Sequence, residues 1–401
     1  MAVRRAAVLG LLALALAGCG TLPHASFAGG RPPLAGDPTY TATCVYVEGA
    51  SGAGSLSVDC PAQPTDAPTP SPTASSSPSS SPTPSSSPSD SPTPPVQALK
   101  PPETGLEVTS VKAARDQGVA LEVGWSTLEP TAGKFDFGVI DQALADPDVP
   151  FLKLRIMAGF SAPGWLPGGV HPISTRNGNG TVPLYWTAPV QQAWAGLVSA
   201  LGARYDADPK LLTVTNSLCI TTYAEPFIKG GPTAGADLYA LGDNYAGELD
   251  CMEASMDALV TAFPHTRIST ALHDAWQEPV KGGIATSWPD EHSLIQSWRA
   301  SYGGQMVYQD NGLSAAKATC DQSAPTAADA DSQWCYLAAI AAPKGAQQGC
   351  GPAGCTDQQT QVVEPALHYG LCFVEHATWS GLTASQASSD DAALAADCDG
   401  A

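Results

Sequence analysis

The sequence predicts an α/β fold, a closed (β/α)8 or TIM barrel, over residues 96–401. Two observations lead to this prediction. Short apolar and β-branched runs bounded by Gly, Pro or Asp alternate with longer segments of helical periodicity. The alternation also continues over about 300 residues, a length typical of one barrel domain. Repeated strand-then-helix order implies a parallel sheet, and eight such strands close the sheet on itself.

Six runs have the composition and length of barrel strands. They are Val119–Val123, Phe151–Ile156, Leu211–Val214, Arg267–Leu272, Met306–Tyr308 and Leu371–Val374. A closed barrel needs two more strands. The first strand is either Val96–Lys100 or Leu106–Val108, and Lys344–Gln348 is the candidate for the seventh.

Helical segments lie between these strands, and two of them have a clear apolar face with residues three, four and seven positions apart. The face of the first comprises Val190, Trp194, Leu197, Val198 and Leu201. The face of the second comprises Leu249, Met252, Met256, Leu259, Val260 and Phe263.

The N-terminus predicts export. Arg4 and Arg5 precede an apolar run that is too short to cross a bilayer comfortably and that ends in small residues. Leu16-Ala-Gly-Cys19 resembles the lipobox of bacterial lipoproteins, whose Cys becomes the N-terminus and carries the lipid. We therefore expect residues 1–18 to be a signal peptide and Cys19 to anchor the chain at the extracytoplasmic face of the cell membrane. The alternative is an ordinary cleaved signal in which this Cys has no special role.

Two segments separate the anchor from the barrel. Residues 64–95 contain only Pro, Ser, Thr, Ala and Asp, which cannot form a core, so we expect a disordered, extended linker. Residues 19–63 hold a few apolar positions and two cysteines besides Cys19, too little for an enzyme domain. A hairpin closed by a disulfide is the interpretation of that segment.

The chain has 11 cysteines, and setting Cys19 aside leaves an even number that fits disulfides in an oxidising compartment. Spacing does not determine the pairing. The neighbours in sequence are Cys44 with Cys60, Cys219 with Cys251, Cys320 with Cys335, Cys350 with Cys355, and Cys372 with Cys398. Half of a zinc site is the alternative for Cys350 and Cys355, but no His lies at ligand spacing beside them.

Acidic residues outnumber basic ones, 38 to 18, and the net charge is −20. This charge disfavours nucleic acid and anionic lipid as partners, whereas neutral glycans remain compatible. The sequence has no Gly-x-x-x-x-Gly-Lys phosphate loop, no His-Glu-x-x-His zinc motif and no Gly-x-Ser-x-Gly elbow. We therefore expect a monomer with no metal and no cofactor.

One loop carries the strongest catalytic signal. Leu218-Cys-Ile-Thr-Thr-Tyr-Ala-Glu-Pro-Phe227 sets Glu225 just after a short apolar run. Barrel strands present their carboxyl ends to the site, so a Glu released from a strand into a loop is where a proton donor projects. Tyr223, Pro226 and Phe227 give an apolar setting, which raises a carboxyl pKa as a general acid requires. A structural ion pair is the alternative.

Further motifs carry a family resemblance. With Trp125-Ser-Thr-Leu-Glu-Pro130, Gly133-Lys-Phe-Asp-Phe137 and Ser161-Ala-Pro-Gly-Trp165, the chain resembles the barrel glycoside hydrolases of the β-galactosidase-like and cellulase-like clan. The resemblance implies hydrolysis of a β-linked sugar by two carboxyls, with the acid/base ending strand four and the nucleophile ending strand seven. In that clan strand four ends in Asn-Glu. The matching place here reads Ala224-Glu225, so another residue must replace the Asn.

The second carboxyl has two candidates. Retaining hydrolysis needs one protonated and one ionised carboxyl about 5 to 5.5 Å apart. Glu375 follows the apolar run Leu371–Val374 and is the candidate nucleophile. If Lys344–Gln348 is a strand, Glu375 ends strand eight instead of seven, and a substrate-binding or structural role becomes the alternative. Asp310, after strand six, is the other candidate and suits the wider spacing of an inverting enzyme.

A glycan cleft combines aromatic faces with polar groups, because sugar rings have apolar faces edged with hydroxyls. Each aromatic residue taken alone is more often part of the core than a platform for a sugar. The aromatic candidates in strand-end loops are Trp125, Trp165, Tyr185, Trp186, Tyr223, Trp276 and Trp379. The polar candidates are Arg155, Gln309, Asp310 and Asn311. Glu129, before Pro130, is interpreted as structural.

These observations combine into one hypothesis, a surface-anchored glycoside hydrolase with carbohydrate as its partner. The alternative is a non-catalytic glycan-binding or structural lipoprotein that keeps the barrel and has lost one carboxylate. A barrel by itself does not establish an activity.

Overall fold

The computed structural model describes two units of the chain, Met1–Ser91 and Pro92–Ala401. In the first unit β1 (Val45–Tyr46) pairs antiparallel with β2 (Val58–Asp59). The signal peptide, Cys19 and the linker lie outside the described residues. These residues are 45–46, 58–59, 98–114, 116–175, 178–219, 221, 228, 231, 233–272, 276–313, 337, 340–341, 343–348 and 355–398.

Eight parallel strands in the second unit close into a barrel, and their order around it follows the chain. They are β3 (Gly105–Val108), β4 (Gly118–Gly124), β5 (Leu152–Met157), β8 (Leu211–Thr215), β9 (Arg267–Leu272), β12 (Met306–Leu313), β13 (Lys344–Gln348) and β14 (Phe373–His376). The predicted TIM barrel is confirmed. Leu106–Val108 belongs to the first strand, and Lys344–Gln348 is the seventh, so Glu375 lies on the eighth.

In the described part of the second unit, two antiparallel hairpins lie outside the barrel sheet. The first pairs β6 (Val170–Thr175) with β7 (Gly178–Pro183), between barrel strands three and four. The second pairs β10 (Trp276–Val280) with β11 (Gly283–Ser287), between barrel strands five and six. Both follow the carboxyl end of a barrel strand, and they therefore extend the end where barrel active sites are built.

Eight α-helices lie in the described part of the chain, and none of them is long and apolar enough to cross a membrane. They are α1 (Trp125–Leu128), α2 (Gly138–Ala145), α3 (Ala188–Tyr205), α4 (Ala234–Ala240), α5 (Tyr245–Ala262), α6 (Trp288–Tyr302), α7 (Glu364–His368) and α8 (Ala384–Cys398). Short 3-10 turns span Val111–Ala113 and Gly303–Gln305, and a π-helical turn spans Gln359–Val363.

Helices α3 and α5 are the two that the apolar periodicity predicts, and they pack against each other. Trp194 on α3 and Met256 on α5 are fully buried, as their predicted faces require. The approach is close at Gly202, where a Cβ atom would lie 2.1 Å from the Ala262 carbonyl oxygen. Only glycine fits at this contact, since the neighbour is backbone and cannot rotate away.

Two of the predicted disulfides are confirmed. Cys219, just after β8, is bonded to Cys251 on α5, and Cys372, just before β14, is bonded to Cys398 at the end of α8. Cys355 is also disulfide-bonded. Each of the two bridges ties a barrel strand to a helix of the outer layer.

A hub at Asp206 closes the amino-terminal end of the barrel. One carboxylate oxygen accepts the backbone N–H groups of His265 and Thr266 at 3.1 and 3.0 Å, and the Thr266 hydroxyl at 2.9 Å. The Lys100 ammonium donates to that hydroxyl and to the Leu211 carbonyl, both at 2.8 Å. The segment containing Lys100 is therefore bound beneath β8 and β9 and does not form the first strand.

Asp206→Ala leaves two backbone N–H groups without their acceptor. We expect the free energy of unfolding to fall by about 2 to 3 kcal/mol, the usual consequence of unsatisfied buried donors. Urea denaturation followed by circular dichroism measures the change. The matched control is Arg204→Ala, which removes a solvent-exposed ion pair to Asp141 and should leave the midpoint nearly unchanged. Equal midpoints for both variants would contradict the role of the hub.

Candidate active site

Strand β5 places two cations inside the barrel. Its side chains alternate, so Lys153 and Arg155 share the inward face while Leu152, Leu154 and Ile156 pack in the surrounding core. Both cations are almost completely buried. A buried charge is tolerated only when it is paired, so each of these side chains needs an anion within reach.

Glu375 is the anion that both cations share. Its Oε1 atom lies 3.0 Å from the Lys153 ammonium and accepts a hydrogen bond from the Gln309 amide at 2.9 Å. Its Oε2 atom is paired with the Arg155 guanidinium. The Gln309 amide also donates to Asn311 Oδ1 at 2.8 Å. The structure therefore brings together four residues that the sequence nominated, on strands β5, β12 and β14.

Two further glutamates complete the interior. Glu103, just before β3, accepts from Lys153 at 2.5 Å. Glu107 on β3 is in register with Glu375 on the neighbouring β14 and is fully buried. Neither carboxyl oxygen of Glu107 has a hydrogen-bond partner among the described residues. Two cations thus face three buried carboxyls.

The electrostatics assign a protonation state to the two central carboxyls. Burial by itself raises the pKa of Glu375, but the charges of Arg155 and Lys153 outweigh it and lower the pKa below its usual value. Burial raises the pKa of Glu107 well above its usual value, and the nearby carboxylates of Glu103 and Glu375 add to the effect. Glu375 is therefore ionised at neutral pH, and Glu107 carries the proton that balances the cluster.

Glu122 marks the mouth of the barrel. It lies at the carboxyl end of β4, in register with Arg155, and its Oε1 atom is 3.4 Å from the guanidinium. Its neighbours Leu121 and Val123 are buried on the other face of the strand, yet 41% of the Glu122 side chain is exposed. The interior of the barrel is therefore open to solvent at this level.

The end of β8 presents an unpartnered amide. The Asn216 backbone N–H donates to the Ser269 carbonyl at 2.7 Å, and the Ser217 hydroxyl donates to the Ile156 carbonyl at 2.6 Å. The Asn216 side chain is 1% exposed, and neither its oxygen nor its nitrogen has a partner in the described structure. A buried amide without partners at a strand end is suited to bind a polar ligand.

The assignment of Glu225 as the acid stays a prediction. Strand β8 ends at Thr215, and Leu218 and Cys219 lie in a bend. Glu225, Tyr223 and the side chain of Trp276 lie outside the described residues.

The tryptophan after β4 belongs to the core. Trp125 is fully buried, with its ring centroid 6.3 Å from Trp165 and 5.4 Å from Trp194. Its indole N–H donates to one carboxylate oxygen of Glu129, and the other oxygen accepts the Gly133 N–H. Protein atoms cover Trp125, so it does not offer a face to a sugar. Glu129 closes its loop, as the sequence predicts.

Three other candidates are also buried away from the mouth. The Trp379 indole donates to the Glu107 carbonyl at 2.9 Å, and its ring packs on His376. The Tyr185 hydroxyl donates to Glu248 between α3 and α5. Asp310 is fully buried and, by strand alternation, lies on the opposite face of β12 from Gln309. Trp165 is half-buried, so part of its ring is accessible.

The sequence analysis missed five residues of this region, namely Glu103, Glu107, Glu122, Lys153 and Asn216. A signal for some of them was present. Charged residues occupy alternate positions in otherwise apolar strands, as in Phe151-Leu-Lys-Leu-Arg-Ile156 and Val119-Ala-Leu-Glu-Val123. In a barrel, such alternation places the charges on the interior face.

Glu107→Gln is expected to flatten the pH dependence of stability. A carboxyl whose pKa is raised in the folded state stabilises it below the unfolded pKa of about 4.3, and this stabilisation is lost as pH rises through the folded pKa. The unfolding midpoint of the natural chain should therefore fall as the pH rises from the unfolded pKa of about 4.3 through the raised pKa of the folded state, and that of the variant should fall less. Urea denaturation at several pH values tests this.

Glu364→Gln, on the exposed side of α7, is the matched control and should leave the pH dependence as it is. If Glu107→Gln and the natural chain lose stability equally across this range, Glu107 does not hold the proton of the cluster.

Comparison with known proteins gives weak similarities in structure alone. No protein-family model matches the chain, and no curated protein matches its sequence. The chain is similar to endo-glycoceramidase II from Rhodococcus sp. in its iminocyclitol complex, with a TM-score of 0.43 and 13% identity, covering 74% of this chain and 80% of that chain.

Two further solved structures are similar at the same level. Xylanase B from Clostridium stercorarium F9 has a TM-score of 0.38 and 10% identity, covering 70% of this chain and 86% of that chain. The β-galactosidase from the psychrophilic Marinomonas ef1 has a TM-score of 0.41 and 12% identity, covering 73% of this chain and 59% of that chain. Similarity this weak says nothing about the reaction or the substrate of this chain.

Proposed function

We propose that the chain is a glycoside hydrolase that cleaves a β-linked oligo- or polysaccharide. One observation carries the proposal, the carboxylates Glu122 and Glu375 on either side of Arg155 at the carboxyl end of a closed parallel barrel. Active sites of barrel enzymes lie at this end. The amides of Asn216 and Asn311 lie at the carboxyl ends of β8 and β12, which flank β9 in the barrel, and amides suit the hydroxyls of a sugar.

The two-carboxyl reaction needs one proton donor and one ionised group. The lowered pKa of Glu375 is incompatible with the role of acid. The acid must therefore be another residue, and we assign it to Glu225, the sequence candidate. As the glycosidic bond breaks, the acid protonates the leaving oxygen while the ionised carboxylate stabilises or attacks the anomeric carbon. Asn216 suits the sugar contact that the sequence left without a residue.

One observation favours a second candidate function, a glycan-binding protein without catalysis. The residues that directly follow β8 are Asn216 and Ser217, so no carboxylate stands at the end of the fourth strand. A barrel with binding groups and an incomplete acid pair would hold a glycan without cleaving it. With the same glycans, a hydrolase predicts turnover, whereas a binding protein predicts binding without turnover.

For the location of the chain, we propose a lipid anchor at Cys19 on the extracytoplasmic face of the cell membrane, with residues 64–95 as the spacer. The disulfides of the barrel support an oxidising compartment. We further propose that the chain is a monomer.

Hydrolysis by the purified full chain in detergent tests the enzyme proposal. The panel comprises aryl β-glycosides, β-glucans, β-mannans and β-galactans. We expect turnover of at least one class, and a fall in kcat of about 100- to 10,000-fold in Glu225→Gln, the usual effect of losing a general acid. An unchanged rate in the variant would contradict the assignment of Glu225. Saturable binding of one glycan without turnover would support the binding protein instead.

Labelling of living bacteria with a fatty-acid analogue tests the anchor. We expect the natural chain to incorporate the label and to sediment with membranes, and Cys19→Ser to do neither, because the lipid is attached to that thiol. The matched control is Cys219→Ser, which removes a cysteine of the barrel and should keep the label. Equal labelling of the Cys19 variant would show that this residue is not the attachment site.

A further inference from the structure

We propose that Glu122 is the ionised carboxylate that reacts with the substrate, and that Glu375 is a positioning residue acting through Arg155. This inference rests on the proposed glycoside hydrolase function. The sequence nominated Glu375 for the ionised role because it follows an apolar strand. The structure shows that Glu375 is fully buried between Arg155 and Lys153, whereas Glu122 is partly exposed and contacts the same guanidinium.

Glu122 and Glu375 differ in their access to solvent. A group that attacks a bound sugar must reach the solvent-filled part of the barrel, where the substrate lies. The Glu375 side chain has no exposed area, whereas 41% of the Glu122 side chain is exposed. Glu122 is nevertheless on the inward face of β4, since it is in register with Arg155 and contacts the guanidinium. It is thus an accessible carboxylate that points into the barrel mouth.

The two carboxylates also differ in their hydrogen-bond partners. One carboxylate oxygen of Glu375 contacts the Lys153 ammonium and the Gln309 amide, and the other is paired with the Arg155 guanidinium. Both oxygens therefore have donor partners. Three donors thus occupy Glu375, and the remaining lone pair, on Oε2, lies on a side chain with no exposed area. Glu122 has one contact, from Arg155 to Oε1, and its Oε2 atom has no protein partner in the described structure. That oxygen is available to form a bond.

Arg155 connects the two groups. Its guanidinium bonds Glu375 through Nη2 and Glu122 through Nη1, a forked arrangement that fixes the plane of the side chain. The nearest oxygens of the two carboxylates are therefore no more than about 8 Å apart, the span of one guanidinium with a contact at each end. Glu375 holds Arg155, and Arg155 in turn contacts Glu122 and orients it at the mouth.

The reaction balances with Glu122 as nucleophile. Its Oε2 atom bonds to the anomeric carbon as the glycosidic C–O bond breaks, and the electron pair of that bond goes to the leaving oxygen. The leaving oxygen takes the proton of the acid, which we assign to Glu225. Water then adds to the anomeric carbon, gives one proton back to the acid, and releases the Glu122 carboxylate.

Covalent trapping in the natural chain is the direct test. A 2-deoxy-2-fluoro glycoside of the sugar that is turned over should label one peptide, and mass spectrometry should place the label on Glu122. A label on Glu375 would overturn the inference while leaving the glycoside hydrolase function intact. This measurement needs no variant, so it does not depend on whether a variant folds.

Variants provide a second, independent readout. Glu122→Gln should lower kcat by on the order of 1,000-fold with an unchanged circular dichroism spectrum. Added azide should restore the activity of Glu122→Ala and yield a glycosyl azide as the product. Glu375→Gln should lower activity without azide rescue, and Glu364→Gln should behave as the natural chain does. A glycosyl azide from Glu375→Ala, or full activity in Glu122→Gln, would overturn the inference.

The result also separates this inference from the proposed function. If the natural chain binds a glycan and cleaves nothing, the proposed function fails. The substrate contact of Glu122 is then tested by binding, where Glu122→Gln should weaken the affinity about tenfold or more. Unchanged affinity in that variant, or neither binding nor turnover in the natural chain, would overturn the inference.

Discussion

The pairing of Glu375 with Arg155 and Lys153 is the interaction on which the barrel interior depends. Interiors of parallel barrels are ordinarily filled by branched apolar side chains, which need no partners. Here two cations and three carboxyls occupy the space, and burying them requires that each charge be matched. Glu375 matches both cations at once. Removing Lys153, Arg155 or Glu375 would leave an uncompensated charge in the buried interior.

The same pairing divides the interior into two levels. Below Arg155, the residues Lys153, Glu103 and Glu107 are sealed from solvent, and one proton on Glu107 completes the charge balance. Glu122, in register with Arg155 on the neighbouring strand, is open to solvent at the barrel mouth. The buried residues are therefore suited to hold and orient Arg155, and Glu122 is suited to contact a ligand. The bridge from Cys219 to α5 adds to this arrangement, because it fixes the chain that follows β8 to the outer layer of helices.

Local composition predicts the strands well because each barrel strand is a short apolar run whose neighbours are turns or helices. Even the polar run Lys344–Gln348 is a strand, as the eightfold closure requires. The solvent exposure of residues in strand-end loops could not be predicted in the same way. Trp125 and Trp379 are in strand-end loops, as the sequence indicates, but whether a loop residue faces solvent depends on residues far away in the chain. Trp194 and Glu107, respectively, lie against them.

The sequence by itself determined the parallel barrel, the structural role of Glu129, and the nomination of Arg155, Gln309, Asn311 and Glu375 as neighbours at one end. These follow from periodicity and from the rule that parallel strands end at the same edge. Only the tertiary structure decided which cysteines pair, which carboxylate is fully buried, which is protonated and which is open to solvent. Those properties arise between strands, from register and from the charges that closure brings together, and no single segment contains them.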